Sequence, residues 1–427
     1  MRRRTIDPRA GWLDTVVSQG LVYEDSLLLP PGAARPYWDE SVYYEFDLDE
    51  VLLLEAQVEG LHLMCLEAVE HVIAAERFRD FALPEFTWPA IVDSWRRRDG
   101  HLYGRFDLRY DGTGPAQLLE YNADTPTTLL EASILQWHWL KDVLPDHDQW
   151  NSLHERLVER WTHLGGDGLA SSTIHFTWTN LETTGEDHLT TAYLQETAAE
   201  AGFDTVGLAI EDLGWDDDRQ GFVDLAGEPI ETLFKLYPWE WLIRDPFGRQ
   251  AMASMPVGVV SAADLSAAGL GRLGRPRTGP DPSAPTSRGH TTTWIEPAWK
   301  ALLSNKAILA VLWQLHPGHP SLLPAFLDDP GPLTEYIRKP KLGREGASMT
   351  IVTPEGTVAT AGEYGDEGYV YQAFDPLPAF DGQHPVLGAW VVGDESAGLG
   401  IRESVGLVTD DRSSFVPHAI TPATGGQ

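Results

Sequence analysis

Cysteine is almost missing: Cys65 is the only one in 427 residues. No intrachain disulfide can form, so nothing points to an oxidising compartment. Cys65 lies in the apolar pattern EGLHLMCLEAVEHVI and reads as core filler, because a reactive thiol needs an accessible, electropositive setting. Basic charge is scarce as well. Against 64 acidic residues stand 31 basic ones, a formal charge of -33, which argues against a sequence-independent grip on nucleic-acid phosphates, since that needs a basic face. No run of about 18 apolar residues occurs, and MRRRTIDPRAGWL at the N-terminus lacks the apolar stretch of a signal peptide. No membrane partner is expected, and the chain reads as cytoplasmic. The fourteen histidines show no H-x-x-x-H spacing of a zinc site, and there is no G-x-S-x-G elbow.

Lysine is the last shortage. Only Lys141, Lys235, Lys300, Lys306, Lys339 and Lys341 occur, so arginine serves wherever a generic solvated cation will do. A compact ammonium on a flexible stem suits nucleotide phosphates where a guanidinium fork does not fit. Lys306 starts the apolar segment SNKAIL, and Lys339 ends YIRKP just before LGREGAS. Both stand where a phosphate could approach; the plain alternative is a surface lysine. The glycines of that loop, Gly343 and Gly346, let backbone N–H groups close over phosphates, or simply turn a hairpin.

What the chain has in abundance is patterned apolar sequence. Asp47-x-x-Glu50 precedes residues whose apolar positions recur three and four apart, which predicts a capped amphipathic helix over 48–78. HLYGRFDLRY and AQLLEYNA alternate as strands around the turn DGTGP, which predicts a hairpin. With its turn centred between Thr113 and Gly114, Asp107 faces Glu120 and Arg105 faces Asn122, all on one surface. Opposed carboxylates repel. A divalent cation between them removes the cost, and carboxylate plus amide oxygen is what hard Mg²⁺ accepts. The alternative is an exposed face with polar decoration, although Leu118, Leu119, Leu129 and Leu130 argue for partial burial. From Thr173 the order is strand, helix, strand, the unit of an open α/β sheet. LGRLGRPRTGPDPSAPTSRGHTT has no periodicity and reads as a mobile loop. Arg402, in the strand-like GIRES, is either an ion-pair member or an anion clamp.

Taken in order, GRFDLRYDG…LLEYNADTPT, LFKLYPWEW, WIEPAWKALLSNKAIL, IRKPKLGREGAS, YVYQAFDPLP and GIRES resemble the synthetase domain of glutathionylspermidine synthase and its single-domain relatives, over about residues 38–415. The resemblance implies a permuted ATP-grasp ligase, which phosphorylates a carboxylate with ATP before an amine displaces the acyl phosphate. Matched position by position, Asp107, Glu120 and Asn122 are the magnesium ligands, and Arg105 steadies the transferring phosphoryl group. Lys306 and Lys339 meet ATP phosphates, Gly343, Gly346 and Ser348 belong to the lid loop, and Tyr371 and Gln372 fall where the base is held. Arg402 is a second catalytic arginine. Thr125 and Thr127 stand where the family places serines on glutathione, and Glu186 and Asp187 roughly where acids receive the polyamine.

The expected fold is therefore mixed α+β and α/β, an ATP-grasp-like unit with an inserted open α/β substrate domain. Its expected division is an N-terminal extension (1–40), a first ATP-grasp part with the long helix and metal-binding hairpin (41–165), the α/β substrate domain (166–285), a nucleotide-binding part (286–415) and a disordered tail (416–427). Expected partners are ATP, Mg²⁺, a small-molecule or peptide carboxylate and an amine, with neither nucleic acid nor membrane. The first 40 residues hold no amidase domain or cysteine, so amide cleavage is not expected. Two alternatives stay open: a protein of this fold that binds nucleotide without ligating, and a carbohydrate-active enzyme, for which 16 tryptophans and many acids would suit sugar stacking.

Overall fold

The computed structural model describes residues 1–21, 35–181, 184–256, 289–409 and 413–422. Most of the Gly- and Pro-rich stretch expected to be a mobile loop lies outside them.

Asp47 and Glu50 form the reciprocal capping box, and the helix runs Leu48–Ala74. It stops before residue 78 because Glu76 takes a left-handed conformation and Arg77–Phe81 tighten into a 3₁₀ turn. Its stripe Val51, Leu54, Val58, Leu61, Cys65, Ala68 and Val72 is buried, each at helical spacing. Cys65 is wholly inside, and burial pushes its thiol pKa far up, as befits filler rather than nucleophile.

Two five-stranded antiparallel sheets frame the centre. The first is ordered β18 (Ser414–Val416), β17 (Glu395–Ser404), β16 (His384–Val392), β3 (Tyr103–Arg109) and β4 (Gln117–Asn122). The second is ordered β11 (Ala325–Leu327), β15 (Tyr369–Ala373), β12 (Tyr336–Pro340), β13 (Thr350–Thr353) and β14 (Gly356–Ala359). Between them runs the helix Ala307–Leu315, AILAVLWQL, which is apolar nearly all round. It packs on the long helix and on β11 and β15 of the second sheet, while the long helix in turn packs on β16 and β17 of the first.

A four-stranded parallel sheet has the order β10 (Thr293–Ile295), β9 (Thr232–Lys235), β5 (Thr173–Trp178), β6 (Asp204–Ala209). The helix Glu186–Glu200 makes the crossover from β5 to β6. Because β10 follows residue 285, this sheet draws on chain from both sides of the expected division there. A small hairpin, β7 (Gly214–Asp216) with β8 (Gly221–Val223), projects from it.

The ends of the chain correct one expectation. Residues 416–422 are not a disordered tail: β19 (His418–Ile420) lies parallel to β2 (Val42–Phe46), which also pairs with β1 (Arg2–Thr5). His418 and Ala419 are fully buried, and apolar burial together with two strand partners orders a segment too short to show periodicity. Residues 423–427 lie outside the described residues. Among the described residues no helix is long and apolar enough to cross a membrane.

Candidate active site

The hairpin β3–β4 has the expected register where it matters. Arg105 pairs with Asn122 and Asp107 with Glu120. Beyond Asp107 the register shifts, since Leu108 pairs with Leu118 and leaves Leu119 as a bulge residue. The bulge breaks strict alternation. Leu118 joins the core with Phe106, Leu108 and Tyr121, whereas Leu119 lines the same cleft as Glu120 and Asn122. It also bares two backbone carbonyls to the second sheet: Gln372 Nε2 donates to Leu118 O (2.9 Å), and Lys339 Nζ to Leu119 O (2.9 Å).

Opposed carboxylates on this face do not meet bare. Arg105 Nε donates to Asp107 Oδ1 (3.0 Å) and Arg402 to Asp107 Oδ2 (2.7 Å). Lys306 Nζ lies 3.0 Å from Glu120 Oε2 and donates to Gly343 O (2.6 Å). Burial would raise the Glu120 carboxyl, but Lys306 and Lys339, then Arg402, outweigh it and hold its pKa well below the usual carboxylate range. Lys339 gives the counterpart. Burial pulls its ammonium down to about 8, against the upward pull of Glu120. Its Nζ also donates to Gln372 Oε1 (2.8 Å), so a buried glutamine orients it.

These side chains share one cleft between the two sheets. Arg105, Asp107, Glu120, Asn122, Thr125, Thr127, Lys306, Lys339, Gly343, Gly346, Gln372 and Arg402 all line it. Four expected residues do not. Tyr371, on the face of β15 opposite Gln372, packs edge-on against Tyr336, and Ser348 accepts the Tyr364 N–H (3.0 Å) off the cleft wall. Glu186 and Asp187 stand in the first turn of the helix Glu186–Glu200, outside the cleft lining. The Tyr37 hydroxyl donates to Glu131 (2.5 Å), and burial, Glu131 and then Glu186 hold its pKa up.

Among the lining residues that sequence did not single out, Arg344 and Glu240 carry charge into the cleft. Arg344, within the glycine loop, donates to Thr125 Oγ1 (3.1 Å) and approaches the half-buried Glu240 (3.8 Å). Their signals were present: an arginine flanked by Gly343 and Gly346, and an acid in the motif LFKLYPWEW. Asp124, the third oxygen-bearing group after Glu120 and Asn122, also borders the cleft but is buried and held by Lys235 Nζ (2.5 Å) and the Trp239 N–H (2.7 Å). Of the six lysines only Lys141 is exposed, and Lys235 and Lys300 are spent on buried ion pairs with Asp124 and Glu296.

The donor set suits a hard cation and a polyphosphate. Carboxylates of Asp107 and Glu120 with the Asn122 amide are oxygen donors of the type magnesium takes. Arg105, Lys306, Lys339, Arg344 and Arg402 bring five cations to one cleft of a chain with charge -33.

Comparison with known proteins gives consistent results. A proposed acid–amine ligase of Haemophilus influenzae is 38% identical over 407 residues, covering 92% of this chain and 93% of that protein. Trypanothione synthetase of Crithidia fasciculata is 29% identical over 432 residues, and the alignment covers 97% of this chain but 62% of that longer protein. Among solved structures, a glutathione synthetase-like effector from Globodera pallida superposes with a TM-score of 0.53 at 12% identity and 96% coverage of each chain, a likeness of fold. The profile described as glutathionylspermidine synthase preATP-grasp matches residues 3–261 and 282–421, beyond both ends of the stretch whose motifs carry the resemblance, and the chain belongs to that family.

Proposed function

We propose that this chain is an ATP- and Mg²⁺-dependent carboxylate–amine ligase that makes an amide through an acyl phosphate. The observation that carries the reading is the meeting of Lys306 with Glu120, Lys339 with the bulge carbonyl and Arg402 with Asp107 around one cleft. Asp107, Glu120 and Asn122 would hold magnesium, which when bound supplies charge neutralisation between the phosphates. Lys306 and Lys339 bind phosphate oxygens, and Arg105 and Arg402 stabilise charge that builds as the γ-phosphoryl group moves to the carboxylate. The Gly343–Ser348 loop closes over the phosphates and excludes water from the acyl phosphate, with the Tyr371–Gln372 segment beside the base. Thr125 and Thr127 orient the acceptor carboxylate; Glu186 and Asp187 receive the amine, whose attack expels phosphate. In this reading the fold is an ATP-grasp unit of 41–165 and 286–415 with the open α/β unit of 166–285 inserted, its sheet completed by β10 from beyond residue 285.

ATP with Mg²⁺ is expected to raise the melting temperature of the wild type and not that of the double variant Glu120→Ala, Asn122→Ala. Equal shifts in both would show that the ion and nucleotide bind elsewhere. ADP release across a panel of carboxylates and amines then identifies the substrates, and a panel giving none would refute ligation.

A further inference from the structure

Behind the same hairpin, His62 of the long helix, His101 just before β3 and Asp394 in the β16–β17 turn converge. His62 Nε2 lies 3.0 Å and His101 Nε2 3.2 Å from Asp394 Oδ1, and the three ligand atoms fall within 4.8 Å of one another. We propose that these three side chains form a second metal site, for a divalent first-row ion of the zinc class, distinct from the cleft.

The spacing carries the assignment first. Donors at about 2.0–2.1 Å around a tetrahedral ion stand about 3.3 Å apart, close to the separations here. The chemistry agrees, since two imidazoles and one carboxylate favour zinc-class ions over magnesium. Both rings are buried, and a zinc-class ion takes the neutral imidazole as ligand. The set is pre-organised by backbone. Gly393 N–H donates to Leu102 O (2.8 Å), which fixes the turn carrying Asp394 beside His101, and Arg160 Nε holds His101 O (2.7 Å). His62 has an outer partner as well, because its Nδ1 meets the Tyr121 hydroxyl at 3.1 Å. Asp394 is exposed beside an open cavity lined by His101, Arg160 and Trp299, which provides an entry path and a position for water as fourth ligand.

The ion would brace the hairpin from behind. Tyr121 sits between Glu120 and Asn122 and stacks on Phe106 at 3.8 Å, between Arg105 and Asp107. Fixing His62 therefore fixes the strand pair that presents the cleft oxygens.

Co²⁺ titration of the nucleotide-free, full-length protein tests the site, read by its visible d–d absorption and by metal analysis after dialysis. The wild type and Glu120→Gln are expected to bind one Co²⁺ with the same spectrum, displaced by Zn²⁺. Asp394→Asn, a change at an exposed side chain that leaves the fold intact, should lose at least tenfold in affinity, and Tyr121→Phe about tenfold through the lost outer partner. Absence of the d–d band in the wild type overturns the proposal. So does equal binding by Asp394→Asn, or loss of the band in Glu120→Gln, which would put the ion in the cleft. Because no nucleotide is added, the result is independent of ligase activity.

Discussion

Burial pulls the Lys339 ammonium down to about 8, and this has a sign that can be measured. Only the charged form attracts phosphate. Above pH 8 the free protein must take up a proton on binding, so ATP affinity is expected to fall by up to about tenfold per pH unit. Titrations at pH 7, 8 and 9 check this, with Lys339→Met weak and flat across the range; a flat wild type would remove Lys339 from the phosphate site. Between about pH 8 and the ordinary lysine pKa the unfolded chain binds more protons than the folded one, so the residue's contribution to stability rises with pH there. Lys306 is tested by size. Its Nζ fits between Glu120 and the Gly343 carbonyl, and Lys306→Arg should lose about tenfold or more in ATP affinity because a guanidinium fork cannot fill that gap. An unchanged Kd would mean that the lysine is only a structural counter-ion.

At the scale of elements, the bulge at Leu119 is the joint between the two antiparallel sheets. Gln372 spans it, since its amide donates to Leu118 O and accepts from Lys339. Gln372→Leu leaves a buried carbonyl and a buried ammonium each one partner short, at a cost of about 1–3 kcal/mol. Urea unfolding should show a lower midpoint with an unchanged slope, and an unshifted midpoint would deny the joint any energetic weight. The hairpin itself was legible, because alternation on both sides of DGTGP leaves little freedom of register. The bulge was not: whether Leu118 or Leu119 faces the core depends on which helix and sheet pack behind them. Tyr371 and Gln372 show the same limit, as neighbours in a strand can only divide between two faces and the sequence does not say which face is the cleft.

For the molecule as a whole, Asp124 ties the hairpin to the parallel sheet through Lys235 of β9. Both are fully buried, so Asp124→Ala strands an ammonium and should cost about 3–5 kcal/mol. Thermal denaturation measures it, and restoration in Asp124→Ala with Lys235→Met would identify the stranded charge as the cause. Surface ion pairs elsewhere merit no such figure. The buried pairs also explain the lysine census. Scarcity marked lysines as special, and all but Lys141 are indeed buried, yet Lys235 and Lys300 hold the interior together rather than lining the cleft.

Local chemistry was determined by the sequence alone: the capped helix, the paired hairpin face and the glycine loop after Lys339 all follow from spacing and residue type. Only the tertiary structure decided what meets across long separations. It set Arg402 on Asp107, Arg344 on Thr125, and His62, His101 and Asp394 around one point, because each of those encounters depends on how separate elements pack, and a periodic pattern carries no information about its distant partner.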